Sequence, residues 1–368
     1  VIKKEILCTI ETRPEAIKMA PINLALCGEP SAELKVLTKG QHREIVDQML
    51  PAFGITPNIY LDVMRPNQDL TSLTARVMQE VGRVLQVETP DAVLVQSDTT
   101  SVMAVTLAAF YQRIPLGHVE AGLRAGNIDH PFPEEMNRVI TARLVRWHST
   151  PTETSRRNLL RENVPESDIC VTGNTVIDTL LHDVTRNTGK FLPLDRRKKL
   201  VIITAQRRES FGAPIRRILA AIRSLALGFP DVQFLYPVHP NPNILDVAHV
   251  TLAGIDNVVL CEPLDYFTFA HAMRRAYIMI TDSGGVQEEA PAIGLPTLAL
   301  RDETERPEAV EMGAVQLVGT DHETIVRETA RLLTDKQAYE AMAKGGPPYG
   351  DGKVSARIVA RRRLDMAP

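Results

Sequence analysis

Tyr277-Ile-Met-Ile-Thr281 runs directly into Asp282-Ser-Gly-Gly-Val-Gln-Glu-Glu-Ala290. The first five residues form an apolar and β-branched run, the pattern of a strand buried on both faces of a parallel sheet. After Gly284 and Gly285 the spacing turns helical. Ser283 and the two glycines then sit where free backbone N–H groups and a helix dipole converge, which suits an anion. Glu288 and Glu289 are expected in the first helical turn, within reach of a ribose. The segment therefore fits a nucleotide-diphosphate sugar, although an ordinary strand-to-helix turn reads the same way when taken alone.

Short β-branched runs alternate with helical patterns on either side of this stretch. Strands are expected at Glu5–Ile10, Leu34–Thr38, Ala92–Gln96, Leu116–Glu120 and Ile169–Thr172. The pattern begins again at Lys199–Thr204 and continues through Val232–Tyr236, Val258–Cys261, Tyr277–Thr281, Thr297–Leu300 and Val315–Val318. Helices are expected at Glu15–Leu26, Arg43–Phe53, Ser101–Gln112 and Glu134–Arg146. Such alternation predicts parallel sheets covered by helices on both faces. The polar stretch around Asn187–Arg197 divides two halves of similar size. The expected fold is α/β, with two doubly wound Rossmann-like domains facing a cleft. The N-terminal domain spans residues 1–186 and takes back a basic C-terminal helix at 351–368; the second domain spans 187–350.

The 368 residues, 44% hydrophobic and 24% charged, are ordinary for a globular chain of this size. A net charge of −3 gives no basic surface for nucleic acid. Apolar runs of about six to eight residues are too short to span a bilayer. The opening Val1–Ile10 lacks a leader-peptide core, and Cys8, Cys27, Cys170 and Cys261 show no metal-ligand spacing. They read as small buried thiols, so the expected location is cytoplasmic.

Charged residues collect at the carboxyl ends of the expected strands. Thr12-Arg13-Pro14-Glu15 opens the first helix, with Pro14 in its tolerant first turn and Arg13 suited to a phosphate. Lys18 follows one turn later. Asp98 ends the third strand and is equally readable as a helix N-cap. Glu120 ends the next, with Gly122 allowing close approach. Glu134 and Arg138 share one face of the helix opened by Pro131-Phe-Pro-Glu-Glu-Met-Asn-Arg138; a plain helix ion pair accounts for that spacing as well as a catalytic face does. In the second half Gln206 stands after the first strand, His239 after the next, and Arg306 after Thr297–Leu300.

These residues resemble the bacterial UDP-N-acetylglucosamine 2-epimerases of the non-hydrolysing type. The resemblance runs from Thr12–Pro21 through Gln41-His-Arg-Glu44, His118–Arg124, Pro131–Arg138 and Val171-Thr-Gly-Asn-Thr-Val-Ile-Asp178. It continues through Asp282–Pro291 and Thr304–Glu308 to Pro348-Tyr-Gly-Asp-Gly352. It implies the two-domain fold of the GT-B glycosyltransferases, a homodimer, and no metal or nicotinamide cofactor. It also implies elimination of UDP across C1–C2 of UDP-GlcNAc, giving 2-acetamidoglucal, and re-addition to UDP-ManNAc for surface polysaccharide. That chemistry needs an acid and a base at C2 and cations on the departing diphosphate. By resemblance Asp98, Glu120 and Glu134 are the acid–base candidates, with Arg138 beside them. Arg13, Ser283, Gly284, Gly285 and Glu289 match UDP contacts, with Lys18 and Arg306 near phosphate and sugar. Gln41, His42 and His239 match a second, activating UDP-GlcNAc site.

The chain departs from the family pattern at three places. Glu11 replaces a Gly, Gln96-Ser97 replaces His-Gly, and Gln206 replaces a functional His. Gln keeps a hydrogen bond but carries neither a proton nor a positive charge near neutrality. All three changes are expected in ligand-facing loops. Competing readings are a hydrolysing relative that releases UDP and ManNAc, a GT-B glycosyltransferase, and a weakly active UDP-sugar binder.

Overall fold

The structure, a computed structural model, describes residues 3–39, 50–63, 65, 68–186, 192–207 and 210–365. The chain forms two compact units: Val1–Thr179 with Tyr349–Pro368, and Leu180–Pro348.

The first unit is built on a seven-stranded sheet. Its strands are β1 (Lys4–Ile10), β2 (Ala32–Lys39), β3 (Ile59–Leu61), β4 (Ala92–Gln96), β5 (Leu116–Val119), β6 (Trp147–Thr150) and β7 (Ile169–Val171). They lie parallel in the order β3-β2-β1-β4-β5-β6-β7. The second unit has six parallel strands: β8 (Lys199–Thr204), β9 (Val232–Pro237), β10 (Val258–Cys261), β11 (Ile278–Thr281), β12 (Thr297–Ala299) and β13 (Val315–Leu317). Their order is β10-β9-β8-β11-β12-β13. Both sheets thus have the 3-2-1-4-5-6 order of doubly wound dinucleotide folds, the first with one strand added.

Burial on both faces explains why these strands read as continuous apolar runs. On β8, Val201 and Ile203 pack into one core with Ile218, Phe234 and Ile280. Leu200 and Ile202, one residue out of phase, pack into the opposite core with Leu235 and Met279. Each fully buried aliphatic side chain contributes about 1.5–3 kcal/mol. Leu7, Val93 and Val95 do the same on one face of the first sheet, under the helices Leu70–Glu88 and Thr100–Tyr111.

The strands β3 and β6 were not expected. The first has only three residues; the second, Trp147-His-Ser-Thr150, is largely polar although all four residues are buried. Most of the helix expected over Arg43–Phe53 lies outside the described residues. The cysteines are free, but only Cys8 is buried, and Cys27 is exposed. The C-terminal helix Val354–Asp365 is held at its start by Asp178, which accepts from Val354 N at 3.0 Å and Ser355 N at 2.7 Å. Among the described residues no helix is long and apolar enough to cross a membrane.

Candidate active site

In sheets of this order a ligand crevice forms beyond the strand ends where the strand order reverses. The reversal lies between β1 and β4 in the first unit and between β8 and β11 in the second. The loops at those ends carry Glu11, Thr12 and Arg13, then Ser97 and Asp98; in the second unit they carry Gln206 and Arg207, then Asp282 to Gly285.

In the first unit Glu120 leaves β5 with a left-handed backbone (φ 65°), a strained state for a side-chain-bearing residue. The turn survives because the chain around it is tightly held. A Cβ at Gly122 would lie 2.4 Å from the Ser155 carbonyl oxygen, so only glycine fits there. The Glu120 carboxylate is 8% exposed. Lys18 Nζ donates to both of its oxygens at 2.6 Å, Asn174 Nδ2 to Oε1 at 2.8 Å, and Gln96 Nε2 to Oε2. All three partners are donors, the complement of an acceptor-only carboxylate. Lys18, expected near a phosphate, is thus engaged with Glu120. Gln96 ends β4, as the expected strand Ala92–Gln96 has it; it is buried and faces Glu120 rather than lying in a loop beyond the strand.

A second group lies one strand away. Asp98 Oδ2 accepts from Arg138 Nε at 2.9 Å and Nη2 at 2.6 Å. Arg138 Nη1 donates to Glu135 at 3.0 Å, and Glu135 in turn accepts from the backbone N–H groups of Ala125 and Gly126. The N-cap of the following helix is Thr99, so Asp98 is left to pair with Arg138. The alternative of a Glu134–Arg138 helix pair is not observed. Arg138 pairs three residues back with Glu135, while Glu134 is half-buried and forms no ion pair among the described residues. Arg13 stands exposed at the first position of its helix. That helix begins with a capping box variant: Thr12 accepts from Glu15 N, and Glu15 accepts from Glu11 N at 2.7 Å. Glu11 is 7% exposed on this loop, a buried position for an extra carboxylate.

Between the two groups lies Ser97, also at positive φ (88°). His118, 3% exposed, donates from Nε2 to the Ser97 carbonyl at 2.9 Å. Burial holds its imidazole below the usual range, so it serves as a neutral strut. Because only glycine takes this backbone without strain, Ser97→Gly is expected to raise stability by about 1 kcal/mol. The midpoint of urea unfolding reads that gain, and a lower midpoint contradicts it.

In the second unit the helix Gly284–Ala292 begins behind N-cap Ser283, whose side chain makes no capping bond. The first-turn N–H groups therefore have no cap from Ser283. Gly284 is buried and Gly285 exposed. A Cβ on Gly284 would lie 3.9 Å from Arg207 Nη2 and 3.9 Å from Arg306 Nη2, so two guanidinium groups flank one helix N-terminus. Asp282 fastens the neighbouring loop, accepting from Gln206 N at 2.7 Å and Arg207 N at 2.8 Å. Burial pushes its carboxyl above the ordinary range, against the pull of those N–H groups. Glu288 and Glu289 are not in the first turn as expected, because the helix starts at Gly284; both are buried in the second turn. Glu288 pairs with Arg306 Nε. Gln206 is exposed, with only its backbone engaged by Asp282.

His239 lies in the loop after β9, its Nδ1 accepting from Asn241 N at 3.1 Å. Gln41 and His42 lie outside the described residues. Sequence reasoning missed Glu135, Asn174 and Arg207. The signals available were weak: a second Glu beside Glu134, an Asn after Gly173, and an Arg beside Gln206.

The sequence and the fold have counterparts among known proteins. Residues 25–361 match the family model described as UDP-N-acetylglucosamine 2-epimerase. A UDP-N-acetylglucosamine 2-epimerase of Yersinia pestis is 49% identical over 365 residues, covering 96% of this chain and 97% of the relative. That of Escherichia coli K12 is 48% identical with the same coverage. The crystal structure of UDP-GlcNAc 2-epimerase from Neisseria meningitidis bound to UDP-GlcNAc superimposes with a TM-score of 0.89 at 42% identity, covering 98% of this chain and 100% of that one.

Proposed function

The chain belongs to the UDP-N-acetylglucosamine 2-epimerase family, and from that premise we propose that it interconverts UDP-GlcNAc and UDP-ManNAc without net hydrolysis. The observation that carries this reading is that the chain holds two chemistries, one in each unit. Two carboxylates, Asp98 and Glu120, follow adjacent strand ends in one unit; two guanidinium groups flank a helix N-terminus in the other.

The C2 hydrogen of the sugar is not α to a carbonyl, so its direct removal as a proton is slow. Elimination avoids that difficulty. A base takes the C2 proton, the C1–O bond breaks, and UDP leaves with the bonding electrons, giving 2-acetamidoglucal. UDP adds back at C1 while an acid protonates the other face of C2. Asp98, Glu120 and Glu134 are the candidates for the proton transfers, with Arg138 orienting Asp98. Ser283, Gly284, Gly285, Arg306 and Arg207 hold the diphosphate as charge develops on it. Arg13 adds a further cation and Glu289 a ribose contact.

The family resemblance supports four companion proposals: ManNAc supply for surface polysaccharide, cytoplasmic location, a homodimer, and activation by a second UDP-GlcNAc at Gln41, His42 and His239. A second reading, slow turnover, is favoured by exposed Gln206, which stands where the family has a functional His.

One experiment addresses both readings: wild type and Gln206→His are incubated with UDP-GlcNAc and no acceptor, and the products are separated. UDP-ManNAc without free UDP is expected. The variant is expected to turn over about tenfold faster. Free UDP with ManNAc would move the protein to the hydrolysing type, and an equal or lower rate in Gln206→His would overturn the slow-turnover reading.

A further inference from the structure

We propose that Asn174 is a positioning residue that fixes the plane of the Glu120 carboxylate. This inference rests on the role proposed for Glu120. Asn174 is 1% exposed and held at three points. Its backbone N–H donates to the Tyr349 carbonyl at 2.6 Å. Its Oδ1 accepts from Val176 N at 3.2 Å, and its Nδ2 donates to Glu120 Oε1 at 2.8 Å.

The first side-chain contact decides the second. Because Oδ1 faces an N–H group, the amide cannot rotate by half a turn without setting NH₂ against that N–H. The NH₂ group is therefore committed to Glu120. The backbone cannot drift either. At the preceding Gly173, at φ 97°, a Cβ would lie 2.8 Å from the Tyr349 oxygen and 2.8 Å from Val354 Cγ2. This wedges residue 174 against the returning C-terminal segment.

The lysine donor lacks this rigidity. Lys18 reaches Glu120 on a flexible stem and touches both oxygens alike, so it neutralises charge without choosing a rotamer. Gln96 takes Oε2. Asn174 on Oε1 and Gln96 on Oε2 together set the rotation of the carboxylate about its own axis. A proton transfer at carbon needs that rotation fixed, since a misplacement of about 1 Å costs up to 10²-fold in rate.

The test compares Asn174→Ala, Asn174→Asp, Ser355→Ala and Glu120→Gln with wild type, reading kcat, KM for UDP-GlcNAc and Tm. Asn174→Ala is expected to lose at least about tenfold in kcat at a KM within about threefold of wild type. Asn174→Asp keeps the acceptor for Val176 N but turns a second carboxylate on Glu120; it should fold and lose more. Ser355 Oγ donates to Asp178 and docks the same C-terminal segment without touching Glu120. Ser355→Ala should lower Tm at wild-type kcat. Wild-type kcat in both Asn174 variants, while Glu120→Gln is inactive, overturns the inference alone. An equal kcat loss in Ser355→Ala also overturns it, since the effect would then be one of packing. Full activity in Glu120→Gln removes both the role of Glu120 and the inference built on it.

Discussion

Glu120→Gln lowers kcat by about a thousandfold, the middle of the range for loss of a general acid or base. The substitution changes the chemistry of the site twice over. A carboxamide cannot exchange the proton at C2. Its NH₂ group must also face one of three donors, because Lys18, Asn174 and Gln96 all point at this side chain. The pocket is built for an acceptor on both sides, and the amide offers one. Stability should fall as well, by about 1–3 kcal/mol for a buried donor left facing a donor. UDP affinity should stay within about threefold, because the groups proposed to hold the anion, in the second unit, are untouched. Glu120→Asp keeps the charge and retreats by one methylene, so it should recover part of the rate. Steady-state kinetics with UDP titration checks this; a kcat within tenfold of wild type would show that proton transfer is carried elsewhere.

The second large effect is on nucleotide binding. Arg306→Ala is expected to weaken UDP affinity by about ten- to a hundredfold, the value of one or two charge-assisted hydrogen bonds. Arg207→Ala should act comparably on affinity, since both guanidinium groups flank Gly284. Arg306→Ala should also lower stability. Arg306 also pairs with Glu288, whose side chain is 3% exposed, so removing it withdraws a partner from a buried carboxylate. Calorimetric titration with UDP, paired with thermal unfolding, separates these effects. Unchanged affinity in both variants would remove the helix N-terminus as the diphosphate site.

The two sheets were legible in the chain because strands buried on both faces must be apolar throughout. Val201, Ile202 and Ile203 serve two cores at once, and no alternation dilutes the signal. Trp147–Thr150 was not legible because its buried polar groups, such as His148 and Thr150, are no sign of burial in a sequence. At the candidate site, motifs named the loops at the strand ends but not always the contacts within them. Glu134 and Glu135 are adjacent, and only helix phase makes Glu135 the partner of Arg138. Glu288 and Glu289 were placed one turn early, since the helix begins on the first glycine rather than after the pair. Gln96 read as a loop departure, whereas its side chain completes the Glu120 shell. Asn174 carried only a weak signal, an Asn after Gly173. It is 54 residues from Glu120, and only the register of the fold brings them together.

Proton exchange at C2 is the most direct measure of the proposed chemistry. UDP-GlcNAc incubated with the protein in D₂O and followed by NMR should yield UDP-ManNAc carrying deuterium at C2, with no lag for an acceptor. UDP-ManNAc that retains the original hydrogen, or no UDP-ManNAc while UDP still binds, would contradict elimination and re-addition at this site.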